Sequence, residues 1–165
     1  MRVSWDLYLV PREHADDHDE WLESLVVDEV PADRGAAAEH ARVVLARRPE
    51  LESSGPDDDG TIELSAPEES GLPFQVLLDG RHASIGIAYW DLRERQDELA
   101  GMLVDVVSAL QESTGWLAFD PQEGREVGVD ELRDVFAGEH TRGVGLVQEI
   151  VREETPRRRR FLGLF

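Results

Sequence analysis

The chain has 165 residues, of which 36 are acidic and 17 basic, for a net charge of −19; 41% are hydrophobic and none is cysteine. That length suits one domain with a real core rather than two, and the missing cysteines exclude disulfides, thiolate metal sites and a cysteine nucleophile. Arg157–Arg160 hold four of the bases; without them 13 bases face 36 acids, a net −23, so the body repels nucleic-acid phosphates and acidic lipid headgroups. The opening Met1-Arg2-Val3-Ser4-Trp5-Asp6 meets an acid before any apolar run, and no stretch has the ~18–20 apolar residues of a membrane span, so a cytoplasmic location is expected.

Trp5–Val10 alternates loosely and stops at Pro11, which predicts a first strand. An acidic helix is expected over 15–27, with His14, His18, Trp21, Leu22 and Leu25 along one face. A second helix carries Ala37, Ala41, Val44 and Leu45 and ends near Pro49. Ser53–Gly60 has loop composition, and Thr61–Ser65 alternates as a strand does. Phe74–Leu78 and Ser84–Tyr89 read as a hairpin through Asp79-Gly80-Arg81-His82, because Asp-Gly tolerates positive φ. Asp91, with Glu94 three residues on, reads as the cap of the strongest helix. Its stripe is Leu99, Met102, Leu103, Val106, Val107 and Leu110, closed by Gly115. Trp116–Phe119 is the last expected strand; Val129–Ala137 and Val144–Glu153 read as two shorter helices interrupted by Gly138, Gly143 and Gly145. The expected fold is α+β, a small antiparallel sheet of four to five strands packed with helices, with extra C-terminal helices. Residues 1–154 form the domain and 155–165 a separate tail.

Three pieces carry a resemblance: Trp5-Asp6-Leu7, Arg47-Arg48-Pro49-Glu50-Leu51, and Phe119-Asp120-Pro121-Gln122. They resemble small bacterial α+β proteins of actinobacterial type, uncharacterised as a group, whose core closes on a Tyr- or Phe-Asp-Pro-Gln tetrapeptide. The similarity spans roughly residues 3–127. Some members look like immunity proteins of bacterial toxin systems, which implies protein binding and carries over no catalytic residue.

Catalytic and metal-binding candidates are few. His14 and His18 stand four apart, a spacing at which two imidazoles share zinc, but a stable site needs a third ligand, and that face also holds Trp21 and Leu22. Asp57-Asp58-Asp59-Gly60 resembles part of a calcium loop, yet Ile62 stands where the sixth-position glycine belongs, so a solvated turn is expected. No Gly-x-Ser-x-Gly or phosphate-cradling loop occurs. Asp120 with Glu123 or Glu126 is the remaining acid–base pair; the simpler expectation is a turn in which the aspartate binds backbone two residues on. No catalytic residue, metal or cofactor is expected.

The tail, Arg157, Arg158, Arg159, Arg160, Phe161, Leu162, Gly163, Leu164 and Phe165, joins cations to an apolar peptide that is costly to leave in water. One reading folds it back on its own body. The other makes it a docking peptide: Leu162, Leu164 and Phe165 resemble the pocket-filling positions of the peptide that docks bacterial proteins on the DNA polymerase sliding clamp, with Phe161 where glutamine is usual. A cargo or secretion-chaperone peptide is a further form of that reading. The expected function is a non-enzymatic protein-binding module, either an immunity-type inhibitor of a basic toxin or a tail-docked adaptor. A small metal-dependent hydrolase using His14, His18 and nearby acids is the alternative from another class.

Overall fold

The computed structural model describes residues 4–88 and 93–159, with backbone alone for 93 and 146–159. Seven strands form one antiparallel sheet in the order β2-β3-β4-β5-β1-β6-β7. They are β1 (Ser4–Val10), β2 (Glu52–Ser54), β3 (Ile62–Ser65), β4 (Phe74–Leu78), β5 (Ala83–Ala88), β6 (Leu117–Asp120) and β7 (Arg125–Glu126). The helices are α1 (His18–Val27), α2 (Arg34–Arg47), α3 (Gln96–Thr114) and α4 (Leu132–Arg159). The α+β class is as expected.

Alternation along the strands sets the two faces of the sheet. Trp5, Leu7 and Leu9 of β1, Phe74, Val76 and Leu78 of β4, and Ala83, Ile85 and Ile87 of β5 all point into one core. Against that face lie α2, α3 and α4. The stripe expected on α3 is buried in full, Leu99 through Leu110, and Gly115 ends the helix in the left-handed region with its N–H on the Gln111 carbonyl. Trp5 meets Phe136 of α4 edge-on at 5.5 Å. The expected cap, Asp91, lies outside the described residues; α3 follows a 3-10 turn at Arg93–Arg95.

The structure corrects the reading in three places. The sheet has seven strands, because short β2 and β7 join its two edges. β2 is exposed and β7 half-buried to exposed, and both are recruited by backbone pairing to β3 and β6, which leaves no apolar alternation to read. The two expected C-terminal helices are one: α4 runs through Gly138, Gly143 and Gly145 and past Thr155-Pro156. A helical glycine costs about 1 kcal/mol relative to alanine, less than is gained by burying Phe136, His140 and Val144 at successive turns of one face. Arg157–Arg159, assigned to a tail, are therefore helical in backbone; Arg160, Phe161, Leu162, Leu164 and Phe165 lie outside the described residues. The third correction concerns His14, which lies in a 3-10 turn (Arg12–His14) ahead of α1, so it shares no helical face with His18.

Candidate functional site

On the second face of the sheet, the described residues are half-buried to exposed. Register aligns a row Glu63, Leu77, Ser84, Tyr8, Phe119, Glu126 and beside it a row Ser65, Gln75, Gly86, Asp6. Along β5 the outward residues are Ser84, Gly86 and Ala88, so small side chains floor a shallow trough between β1 and β4. Helix α1 covers one end of this face and buries no residue of its own. It is held by aromatic contacts: the His18 ring lies 3.5 Å from that of Phe119, and His14 stacks on Trp21 at 4.4 Å, with Trp21 edge-on to His82. His14 and His18 thus take separate neighbours. Among the described residues, no three acids or histidines form a group able to hold a metal ion.

Between α1 and the sheet lies a groove of about 720 Å³, lined by the apolar side chains of Leu22, Leu25, Val26, Val30, Tyr8 and Leu77 and by the acidic Glu29, Asp58 and Asp59. Val26 is 77% exposed and Leu77 38%. The trough over β5 continues from it through Tyr8, Leu77 and Ser84.

The rim is built from local chemistry. Helix α1 ends in a Schellman turn, with the Val30 N–H on the Leu25 carbonyl at 3.1 Å and Glu29 in the left-handed region at φ 48°. Glycine is the residue this position favours, so a glutamate there costs about 1 kcal/mol. Its presence fixes a carboxylate at the groove mouth. No basic residue occupies the last turn of α1, so the helix C-terminus adds its own negative potential. Arg34, the cation lining the groove, donates to the Asp58 backbone carbonyl at 2.8 Å. Among the described residues, no cation pairs with the carboxylates of Glu29 or Asp58.

The far wall is a hub of turns. Asp33 caps α2 by accepting from the Ala36 N–H at 3.0 Å, while its own N–H donates to the Asp79 carbonyl at 2.8 Å. Residues 57–60 close the β2–β3 connection as a turn, with the Gly60 N–H on the Asp57 carbonyl and Asp59 accepting from the Thr61 N–H. Arg81 spans from Asp79 to the Val30 carbonyl. Asp79 accepts from the Arg81 and His82 N–H groups at 2.7 and 2.9 Å, and His82 Nδ1 lies 3.0 Å from its Oδ1. Burial alone would raise the Asp79 pKa, but His82 and these N–H donors outweigh it and hold the carboxyl well below its usual range.

His40, buried edge-on against Trp116, has its pKa lowered, chiefly by desolvation. Both shifts weaken the fold in acid. A histidine depressed in the folded state takes its proton more readily when unfolded, so its contribution is complete above about pH 6.5 and shrinks below. The Asp79 contribution is complete above about pH 4 and is lost further down. Urea midpoints of wild type should fall in two stages on acidification; His40→Gln should flatten the first, and Asp79→Asn the second.

Asp120 is fully buried and spent on structure. Oδ2 accepts from the Trp5 indole N–H at 3.2 Å, and Oδ1 from the Gln122 and Glu123 N–H groups at 2.8 and 3.2 Å. The Glu123 carboxylate goes instead to Arg125 at 2.6 Å, and Glu126 stands in register with Phe119 on the outward face while Asp120 points inward, so neither glutamate pairs with Asp120. With its amide turned to satisfy both ends, Gln122 donates to the Asp6 carbonyl at 3.1 Å. Trp5-Asp6 and Asp120-Pro121-Gln122, noticed separately in the sequence, thus form one clasp between β1 and the turn after β6.

The open face itself was missed from sequence. Its signal is the outward series Glu63, Ser65, Gln75, Leu77, Ser84, Gly86, complementary to the core positions. No protein-family model matches this chain, and no curated protein or solved structure matches it.

Proposed function

We propose that this chain is a non-enzymatic protein-binding module whose open sheet face takes a basic, apolar-anchored segment of a protein partner. The supporting observation is the groove beneath α1: exposed Val26, Val30 and Leu77 beside Glu29 and Asp58, on a chain of net charge −19. An apolar floor supplies affinity, and rim carboxylates that pair with no cation among the described residues steer a cationic partner. An immunity-type inhibitor of a basic toxin is the concrete form that fits this charge and the resemblance around Trp5-Asp6 and Asp120-Pro121-Gln122. The hydrolase alternative gains no joined set of residues, since His14, His18 and Asp120 are each engaged elsewhere.

The test is capture of the partner from cells that make the protein, comparing wild type with Val26→Lys/Asp58→Lys. Loss of the captured protein from the variant, and weakening with salt for wild type, are expected; equal capture by both would overturn the groove as the site. Glu29→Gly adds a second reading. It should raise stability by about 0.5–1 kcal/mol in urea unfolding, by relieving the left-handed residue, while weakening capture. A rim carboxylate kept at a cost in stability is what a binding site requires.

A further inference from the structure

We infer that the groove beneath α1 also takes the chain's own segment Arg157–Phe165, supplied by a second copy. This rests on reading the groove as a protein-docking site and names an occupant for it. The chemistry is complementary. The groove offers Val26, Val30 and Leu77 inside a rim of Glu29 and Asp58, at a helix C-terminus without a basic residue. The sequence has one run of four consecutive cations, Arg157–Arg160, and it leads directly into Phe161-Leu162-Gly163-Leu164-Phe165. Cations for the rim and large apolar side chains for the floor stand next to each other in the order a groove with a charged mouth needs. The volume, about 720 Å³, lies within the ~300–1,000 Å³ typical of sites that enclose several such groups.

Reach decides between the chain's own groove and a neighbour's. Helix α4 starts on the helical face of the sheet, where Phe136 packs on Trp5, whereas the groove opens on the opposite face. From Leu132 to Arg159 its 28 residues span about 42 Å, comparable with the whole body's diameter of roughly 36 Å. The six residues from Arg160 to Phe165 extend at most ~20 Å. Six residues leave little chain with which to turn back from the helix end and round the sheet edge, so the groove we assign to the segment is that of another molecule. Two copies exchanging segments would fill both grooves, and open-ended addition is the other outcome of such a heterologous contact. A basic protein partner would then compete with the segment for one groove, so self-association holds the site until that partner arrives.

The test uses two full-length variants. Val26→Lys/Asp58→Lys spoils the groove and leaves the segment; both residues are exposed, so the fold is spared. The other carries Phe161→Ser, Leu162→Ser, Leu164→Ser and Phe165→Ser, with its groove intact. In sedimentation velocity, wild type should associate with rising concentration, and more weakly, by about tenfold or more, from low to high salt. Each variant alone should be monomeric, and their mixture should give a 1:1 complex, because one keeps the groove and the other the segment. A synthetic Arg157–Phe165 peptide should dissolve that complex. A mixture that stays monomeric overturns the inference, as does association that survives in either variant alone. Monomeric wild type whose stability falls in the serine variant overturns it too, in favour of docking within one chain. If these results fail while partner capture still depends on Val26 and Asp58, only this inference falls; groove-independent capture would remove the functional reading itself.

Discussion

Asp120→Ala is expected to destabilise the fold by about 3–5 kcal/mol, a large share of the 5–15 kcal/mol by which native domains are usually stable. The carboxylate is fully buried and accepts from the Trp5 indole, from the backbone N–H groups of Gln122 and Glu123, and from the turned Gln122 amide. Alanine leaves the Trp5 donor unpaired in a buried site and removes the acceptor that holds the half-buried turn; an unpaired buried polar group costs about 1–3 kcal/mol. Asp120→Asn keeps the Oδ1 acceptor for the turn but turns an NH2 toward the Trp5 donor, so it should cost less than alanine and still more than 1 kcal/mol. Trp5→Phe should cost less in the Asp120→Ala background than in wild type, because only its packing loss remains once the donor's partner is gone; a double-mutant cycle in urea reads that coupling. A loss below 1 kcal/mol for Asp120→Ala would mean the clasp contributes no stability, and would reopen a role for this carboxylate in chemistry.

The clasp also marks what was legible in the sequence. Asp-Pro-Gln after an apolar strand is local grammar, and the turn follows from the short reach of the aspartate side chain to backbone N–H groups. That Trp5 completes it, 115 residues away, follows only from β1 pairing with β6. The same division runs through the molecule. The α3 stripe and the β4–β5 hairpin declare themselves because periodicity and a Gly-containing turn are local signals. Strands β2 and β7 carry no such signal, being edge segments that exist because β3 and β6 offer them unpaired backbone. In α4, local glycine chemistry pointed one way and the burial of Phe136, His140 and Val144 another, and burial won.

The groove was the least legible feature, for a physical reason. Its floor is made of residues that look ordinary in sequence: Val26 and Val30 at the end of an acidic helix, Leu77 on the outward side of a strand. Only the sheet order and the placement of α1 bring them together. Reading the outward positions of each strand as a second face, with the same care given to the core positions, would have shown Leu77 as an apolar outlier among Glu63, Ser65, Gln75 and Ser84. It would not have shown that the turn at Glu29 sets a carboxylate beside it.

The turn at Gly80 controls both the fold and the groove wall, and Gly80→Ala should cost about 3 kcal/mol or more. Gly80 has φ 91°, so any side chain is strained there. A Cβ would also run into the Asp33 carbonyl, and would lie 2.9 Å from the Asp33 Cβ and 3.0 Å from the Ala37 N. These are backbone and short-stem atoms at the first turn of α2, which cannot step aside as the tip of a long side chain can. The helix start must shift, straining the Asp33 N–H bond to the Asp79 carbonyl and with it the wall that carries Val30 and Arg34. Gly115→Ala is the control. Gly115 has φ 73° but nothing within 4 Å of its added Cβ, so it bears the conformational penalty alone, about 1 kcal/mol. Measured by urea unfolding, the difference between the two substitutions isolates the close packing of the hairpin on α2. The Gly80 variant, where still folded, should bind the Arg157–Phe165 peptide more weakly, while the Gly115 variant should bind as wild type. Equal costs for the two substitutions would mean α2 moves freely on the hairpin, and the groove wall would then not be fixed by this contact.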